Sequence, residues 1–145
     1  MRKNNTIGAF FSLVRGGLWE QNVNLSPYGE IELSDIYQLA EEQSIVGLVA
    51  AGVEHVTDVR LPKEEVLQFV GQALQLEQQN KAMNAFIAEL VEKMRQAGIY
   101  SLLVKGQGVA QCFERPLWRA CGEVDLFLSD DNYLKAKQYL MPFAT

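Results

Sequence analysis

Apolar residues recur at helical spacing through the first two thirds of the chain. Residues 7 to 18 carry a short amphipathic pattern, and a loop follows through LSPYGE. Ser34, a residue type favoured at helix N-caps, opens SDIYQLAEEQSIVGLVAAGVEH. In that run Ile36, Leu39, Ala40, Ile45, Val46 and Val49 keep roughly to one helical face, while Gly47 and Gly52 weaken its end. Pro62 marks the next start, with Lys63, Glu64 and Glu65 behind it. Acidic residues in a first turn face the favourable end of the helix dipole. Val66, Phe69, Val70, Ala73 and Leu74 form one apolar stripe; Met83, Phe86, Ile87, Leu90, Val91 and Met94 form a second. The polar stretch QLEQQNK, residues 75 to 81, separates them. The pattern fits one long helix or two. Helices above about 25 residues are unusual in globular domains, which favours a break or an arm-like packing. Gly98 is a good stop.

The periodicity then changes. IYSLLV, residues 99 to 104, reads as a strand. KGQGVAQCF starts a helix near Gln107, and ERPLWRACG, with Pro116 and Gly122, reads as a turn or bend. VDLFL, residues 124 to 128, is a second strand, and Ser129 caps a final helix over DDNYLKAKQYL, with Asp130 and Asp131 in its first turn. The fold class is α+β: a helical region over residues 1 to 97, then a partial mixed sheet over 98 to 145, packed together as one domain. Two strands do not make a stable sheet alone. Either the sheet recruits further strands of this chain or, the favoured expectation, the chain is the first part of a longer protein; in the competing interaction-module reading a homodimer hides the unfinished surfaces.

Composition narrows the chemistry. The chain has 145 residues, 48% apolar and 21% charged, enough for one domain with a core. A net charge of -5 argues against a broad nucleic-acid surface, though not against one small basic pocket. Cys112 and Cys121 are too few for a disulfide framework or a cysteine-rich zinc site, and read as small apolar fillers. His55, the only histidine, gives poor support to a histidine metal site or a triad, and reads as a helix C-terminal residue interacting with the dipole. No secretory pattern and no apolar run of about 20 residues is present, so a cytoplasmic protein with reduced thiols and no membrane span is expected. Trp118 either stacks on a base or, more commonly for such a residue, packs beneath its turn. Trp19 and the Phe10–Phe11 pair pack the first helix or form an interaction patch.

What remains is carboxylates, lysines, arginines and hydroxyls. CGEVDLFL places Glu123 and Asp125 in an otherwise apolar run. On a strand, alternate side chains share a face, so both carboxylates point the same way. Such a pair suits Mg²⁺, which takes one or two carboxylates completed by substrate phosphates and water. The plain alternative is a solvated pair at a strand start. Lys105 and Gly106 end the preceding strand, and Gly108 follows. A glycine-rich strand-to-helix turn exposes amides to phosphate, but GQG matches neither standard phosphate-loop pattern. Lys105 either meets a phosphate or points to solvent; Arg119 either binds phosphate or pairs with Glu123.

Taken in order, the strand, LVKG, RPLWRACG and EVDLFL resemble the uncharacterised nucleotidyltransferase family, a branch of the polymerase-beta-like nucleotidyltransferase superfamily. Lys105 and Gly106 match its Lys-Gly, Arg119 and Gly122 its arginine and glycine, and Asp125 its second aspartate; the likeness spans roughly residues 30 to 140. The resemblance implies a nucleotidyltransferase-like sheet that transfers a nucleoside monophosphate from a nucleoside triphosphate to an unknown hydroxyl acceptor. It makes Glu123 and Asp125 catalytic ligands for Mg²⁺, puts Gly106 and Gly108 against the triphosphate, and gives Lys105 and Arg119 phosphate or acceptor contacts. The chain departs from the pattern in three ways. Glu123 stands where the family has aspartate, and Gln107 where the superfamily commonly has serine. The superfamily's third carboxylate belongs to a later strand, and none is read after residue 140. The competing expectation is a non-catalytic helical module for protein interaction or dimerisation.

Overall fold

The computed structural model describes residues 4 to 144. Four helices come first: α1 (Asn4–Trp19), α2 (Leu33–Glu42), α3 (Val46–Glu54) and α4 (Lys63–Gln96). Then come β1 (Leu102–Val104), α5 (Gly106–Ala110), β2 (Asp125–Phe127) and α6 (Asp130–Leu140). Short 3-10 turns lie at Ser26–Tyr28, Pro116–Trp118 and Met141–Phe143. The α+β expectation holds, with a helical region leading into a small sheet.

The main core collects the apolar faces of the first four helices: Phe10 and Leu13 from α1, Ile36 and Tyr37 from α2, Val49 and Val53 from α3, and Phe69 and Ala73 from α4. Glycines set how closely α1 and α3 approach. A Cβ on Gly17 would lie 1.9 Å from the Leu48 carbonyl oxygen, and one on Gly52 would lie 2.0 Å from that of Leu13. Gly52 is thus a contact point between helices, not merely a weak helix end.

Two helix boundaries differ from the sequence pattern. Ser34 does not cap α2; the N-cap is Glu32, and Ser34 lies in the first turn. The apolar run also breaks after Glu42, because Ser44 adopts φ 56° and the chain restarts as α3 at Val46. Hydrophobic spacing alone does not register a single left-handed residue. The polar belt at residues 75 to 81, by contrast, does not break α4, which runs unbroken for 34 residues. QLEQQNK contains neither Gly nor Pro, and Glu77 and Lys81 pair across one turn at 2.5 Å. This helix serves both ends of the molecule. Phe69 and Ala73 pack on the main core, while Met94 joins Ile99 and Ala136 in a second cluster with Leu126 and Leu128.

The strands pair antiparallel, with Leu102 opposite Phe127, Leu103 opposite Leu126 and Val104 opposite Asp125. Both are shorter than their apolar runs. Ahead of β1, the Tyr100 amide donates to the Asn132 side chain at 2.9 Å instead of joining a ladder. Ser129 is the N-cap of α6, as its sequence position indicates, but its hydroxyl accepts from the Asn132 amide at 2.8 Å and makes no capping bond to the backbone. Among the described residues, no helix is long and apolar enough to cross a membrane.

Candidate functional site

The turn after β1 carries one of the positive-φ non-glycine residues of the chain. Lys105 has φ 52° and ψ −149°, a region close to one that only glycine enters without cost. Such a conformation costs roughly 1–3 kcal/mol and persists only where neighbours enforce it. The neighbour here is the segment that leads into β2. Gly106 is buried at φ 28°, and a Cβ there would sit 2.7 Å from Cys121 Sγ and 3.2 Å from the Glu123 carbonyl oxygen. The Cys121 thiol itself donates to the Glu123 carbonyl at 3.1 Å. Gly108 packs similarly, its hypothetical Cβ 3.1 Å from the Leu103 carbonyl oxygen. These glycines therefore let three backbone segments approach one another.

Register brings the two charged motif residues together. Val104 lies opposite Asp125, so the next residue, Lys105, reaches Asp125 with 3.8 Å between Nζ and Oδ1. The second carboxylate oxygen, Asp125 Oδ2, is buried without a hydrogen-bond partner among the described residues. A buried carboxylate oxygen left bare is costly. It is also a free hard ligand, and this is the observation on which a divalent cation fits the site. Lys105 itself is largely exposed.

Glu123 is placed differently from the alternating-strand expectation. Strand β2 begins only at Asp125, so Glu123 lies in the irregular stretch before it, with an exposed side chain. Strand alternation does not govern its direction there. Among the described residues no three His, Cys, Asp or Glu side chains form a metal-holding group. Asp125 with Glu123 can hold a cation only in the sparse manner of Mg²⁺, with phosphates and water completing the shell.

Arg119 does not pair with Glu123. Its Nη1 donates to the carbonyls of Gly106 and Ala120, each at 3.2 Å. It thus ties the glycine turn to the 116–120 segment. The structure brings Lys105, Gly106, Arg119 and Asp125 into one connected arrangement, with Glu123 joined to it through its main chain.

Asn80, which the motif reading passed over, and Gln107, which it named only as a departure from serine, hold this arrangement together. Asn80, in the polar belt of α4, is 1% exposed. Its amide donates to the carbonyls of Leu117 at 2.7 Å and Arg119 at 2.8 Å. Its Oδ1 accepts from Gln107 Nε2 at 2.6 Å, and Gln107 is itself 2% exposed. Two acceptors and one donor converge on Asn80, which fixes the orientation of its amide. A signal existed: asparagine is a poor interior helix residue, and Asn80 sits between two apolar stripes.

A second cluster anchors the other end of the same segment. Arg115 donates to Glu20 at 2.6 Å and to Glu54 at 2.8 Å, and lies over the Trp118 ring at 4.5 Å. Glu20 also bonds His55, which caps α3. Arg115 holds the Glu20 carboxyl below its ordinary value; partial burial opposes this and the His55 bond adds to it. Trp118 packs against the main core and donates from Nε1 to Glu77 at 3.0 Å, so it packs beneath its turn. Cys112 is exposed, not a filler, and Cys121 is half-buried; both are free thiols.

No curated protein and no solved structure gives a significant match to the chain. The family model described as uncharacterised nucleotidyltransferase matches residues 29–143, which takes in the helices from α2 onward and every element of the strained turn and β2. A match of that length, over a chain whose Lys-Gly turn, arginine and strand aspartate meet in space, shows that this protein belongs to the uncharacterised nucleotidyltransferase family.

Proposed function

We propose that the protein transfers a nucleoside monophosphate from a nucleoside triphosphate to a hydroxyl acceptor, with Asp125 at the centre of the site. The single observation that carries this reading is the buried, unpartnered Asp125 Oδ2 beside the strained Lys105–Gly106 turn. A buried carboxylate oxygen without a partner calls for an explanation, strain of this kind clusters at functional positions, and at Asp125 with Lys105 beside it the two coincide.

In this reading Asp125 is the principal ligand for Mg²⁺, and Glu123 reaches in from the irregular stretch ahead of the strand. When bound, the cation offsets triphosphate charge and polarises the phosphoryl oxygens. Lys105 exchanges its long contact with Asp125 for a phosphate oxygen. The amides that open α5, at Gly106 and Gly108, have no intrahelical acceptor and face the same anion. Arg119 holds the Gly106 carbonyl, and its positive charge serves the acceptor and not the triphosphate. The acceptor oxygen forms a bond to the alpha phosphorus and gives up its proton to water, the bond from that phosphorus to the bridging oxygen breaks, and pyrophosphate leaves.

The test is calorimetric titration of ATP, CTP, GTP and UTP with and without Mg²⁺. Asp125→Asn keeps the side-chain size and removes the charge. Magnesium-dependent binding lost in a folded Asp125→Asn variant supports the site. Binding that persists unchanged removes Asp125 from it.

A second reading rests on a different observation. Leu102 and Phe127, directly opposite in the sheet, are 63% and 65% exposed. An apolar cross-strand pair facing water suits a protein partner or a second copy. Absence of any nucleotide binding, with a concentration-dependent mass in light scattering, would favour that interaction module.

A further inference from the structure

A cleft whose lining includes Arg119 but neither Glu123 nor Asp125 lies between the start of α3 and residues 113 to 120, and has a volume of ≈ 330 Å³. That is within the roughly 300–1,000 Å³ typical of small-molecule sites. Ile45, Leu48, Phe113 and Trp118 supply apolar walls, and Gln43 stands at the rim, exposed.

The charges in the cleft are unequal. Arg115 is neutralised by Glu20 and Glu54. Arg119 has no ion pair among the described residues; its hydrogen bonds go only to the neutral carbonyls of Gly106 and Ala120. A half-buried guanidinium held by carbonyls keeps its full charge and has donors to spare, since it carries five N–H groups. Its orientation is fixed by those two bonds, so an incoming anion meets a pre-positioned fork. One uncompensated cation matches one negative group. A triphosphate, with several negative charges, would leave most of them unpaired among apolar walls.

We infer that this cleft is a binding site for a small molecule with a flat apolar body and a single anionic group, distinct from the nucleoside triphosphate. Arg119 anchors the anion and the Ile45–Leu48–Phe113–Trp118 walls cover the body. The cleft stands whether or not the strand-end site takes a nucleotide.

The experiment uses the full 145-residue chain, labelled with ¹⁵N, and two probes of equal shape: 2-naphthoate and the neutral 2-naphthamide. Saturable amide shifts are expected at Gly47, Leu48, Arg119 and Ala120 with naphthoate, and much weaker ones with naphthamide. Arg119→Gln should weaken naphthoate by about tenfold or more while changing naphthamide less than about twofold, because only the charge-assisted bonds are lost. Gln43→Glu, a rim change that leaves the Arg119 bonds to Gly106 and Ala120 in place, should weaken naphthoate in the same selective way. Equal affinity for acid and amide, or shifts centred instead on the α4–α6 surface near Phe86 and Phe143, would overturn the assignment. So would displacement of naphthoate from the same amides by Mg²⁺-ATP, which would give the cleft to the nucleotide.

Discussion

Asn80→Ala tests whether the candidate site is held from below. The substitution strips the carbonyls of Leu117 and Arg119 of their donor and Gln107 Nε2 of its acceptor. Each buried polar group left unsatisfied costs about 1–3 kcal/mol. Two of the three lie in a part-buried region where water relieves some of the loss, so the total is about 3–5 kcal/mol. That is a large fraction of the roughly 5–15 kcal/mol that keeps a domain folded. With a urea slope of about 2 kcal/mol per molar, the unfolding midpoint falls by roughly 2 M. Gln107→Ala and the double variant complete the cycle, in which the Asn80–Gln107 bond should appear as a coupling of about 1–2 kcal/mol. Asn80→Asp is a sharper probe, because it keeps the shape and turns an acceptor toward two carbonyls. A loss below about 1 kcal/mol for Asn80→Ala, or a zero coupling, would refute the account.

Further expectations concern single contacts. Gly47→Ala would put a Cβ 1.9 Å from the Trp118 carbonyl oxygen, a backbone atom unable to yield cheaply, and should lower stability by about 1–3 kcal/mol in thermal unfolding. Lys105→Gly should separate stability from binding. Relief of backbone strain, about 1–3 kcal/mol, exceeds or equals the glycine entropy cost of about 0.5–1 kcal/mol, so the fold is no weaker while Mg²⁺-nucleotide affinity drops. Glu20 contributes to acid sensitivity. Its folded pKa is depressed, chiefly by Arg115, so its stabilisation is present above the ordinary value of 4.5 and is lost as pH falls from there through the folded value. The stability difference between the parent and Glu20→Gln should therefore shrink on acidification below 4.5, and a constant difference would contradict this. Asp58, whose carboxylate takes the amides of Leu25 and Ser26, is pulled down to about 2, first by the Ser26 hydroxyl. Its contribution is fully present above 3.8 and is lost as pH falls from there through about 2, and Asp58→Asn should remove that low-pH limb from the unfolding curve.

Much of the fold follows from local rules that the sequence displays. The apolar stripes of α4, the stop at Gly98 and the acidic start of α6 are all decided by residues within a few positions of one another. The motif residues Lys105, Gly106, Arg119 and Asp125 were legible for the same reason, because their order along the chain carries the family pattern. The rest depends on atoms distant in sequence. Ser44 takes a left-handed conformation at the end of the polar stretch at residues 41 to 44, where neither Gly nor Asn marks it. Glu123 leaves the strand because pairing with β1 reaches only to Asp125 opposite Val104. Asn80 and Gln107 are 27 residues apart and meet only when α4 crosses beneath the glycine turn. Arg119 faces carbonyls instead of Glu123 because the 116–120 segment is pinned at both ends, by Asn80 and by Arg115 with its carboxylates. A sequence sets which side chains carry charge and which faces are apolar. Only the packed chain decides which charges are neutralised, and around the glycine turn that decision leaves Asp125 Oδ2 without a hydrogen-bond partner and Arg119 without an ion pair among the described residues.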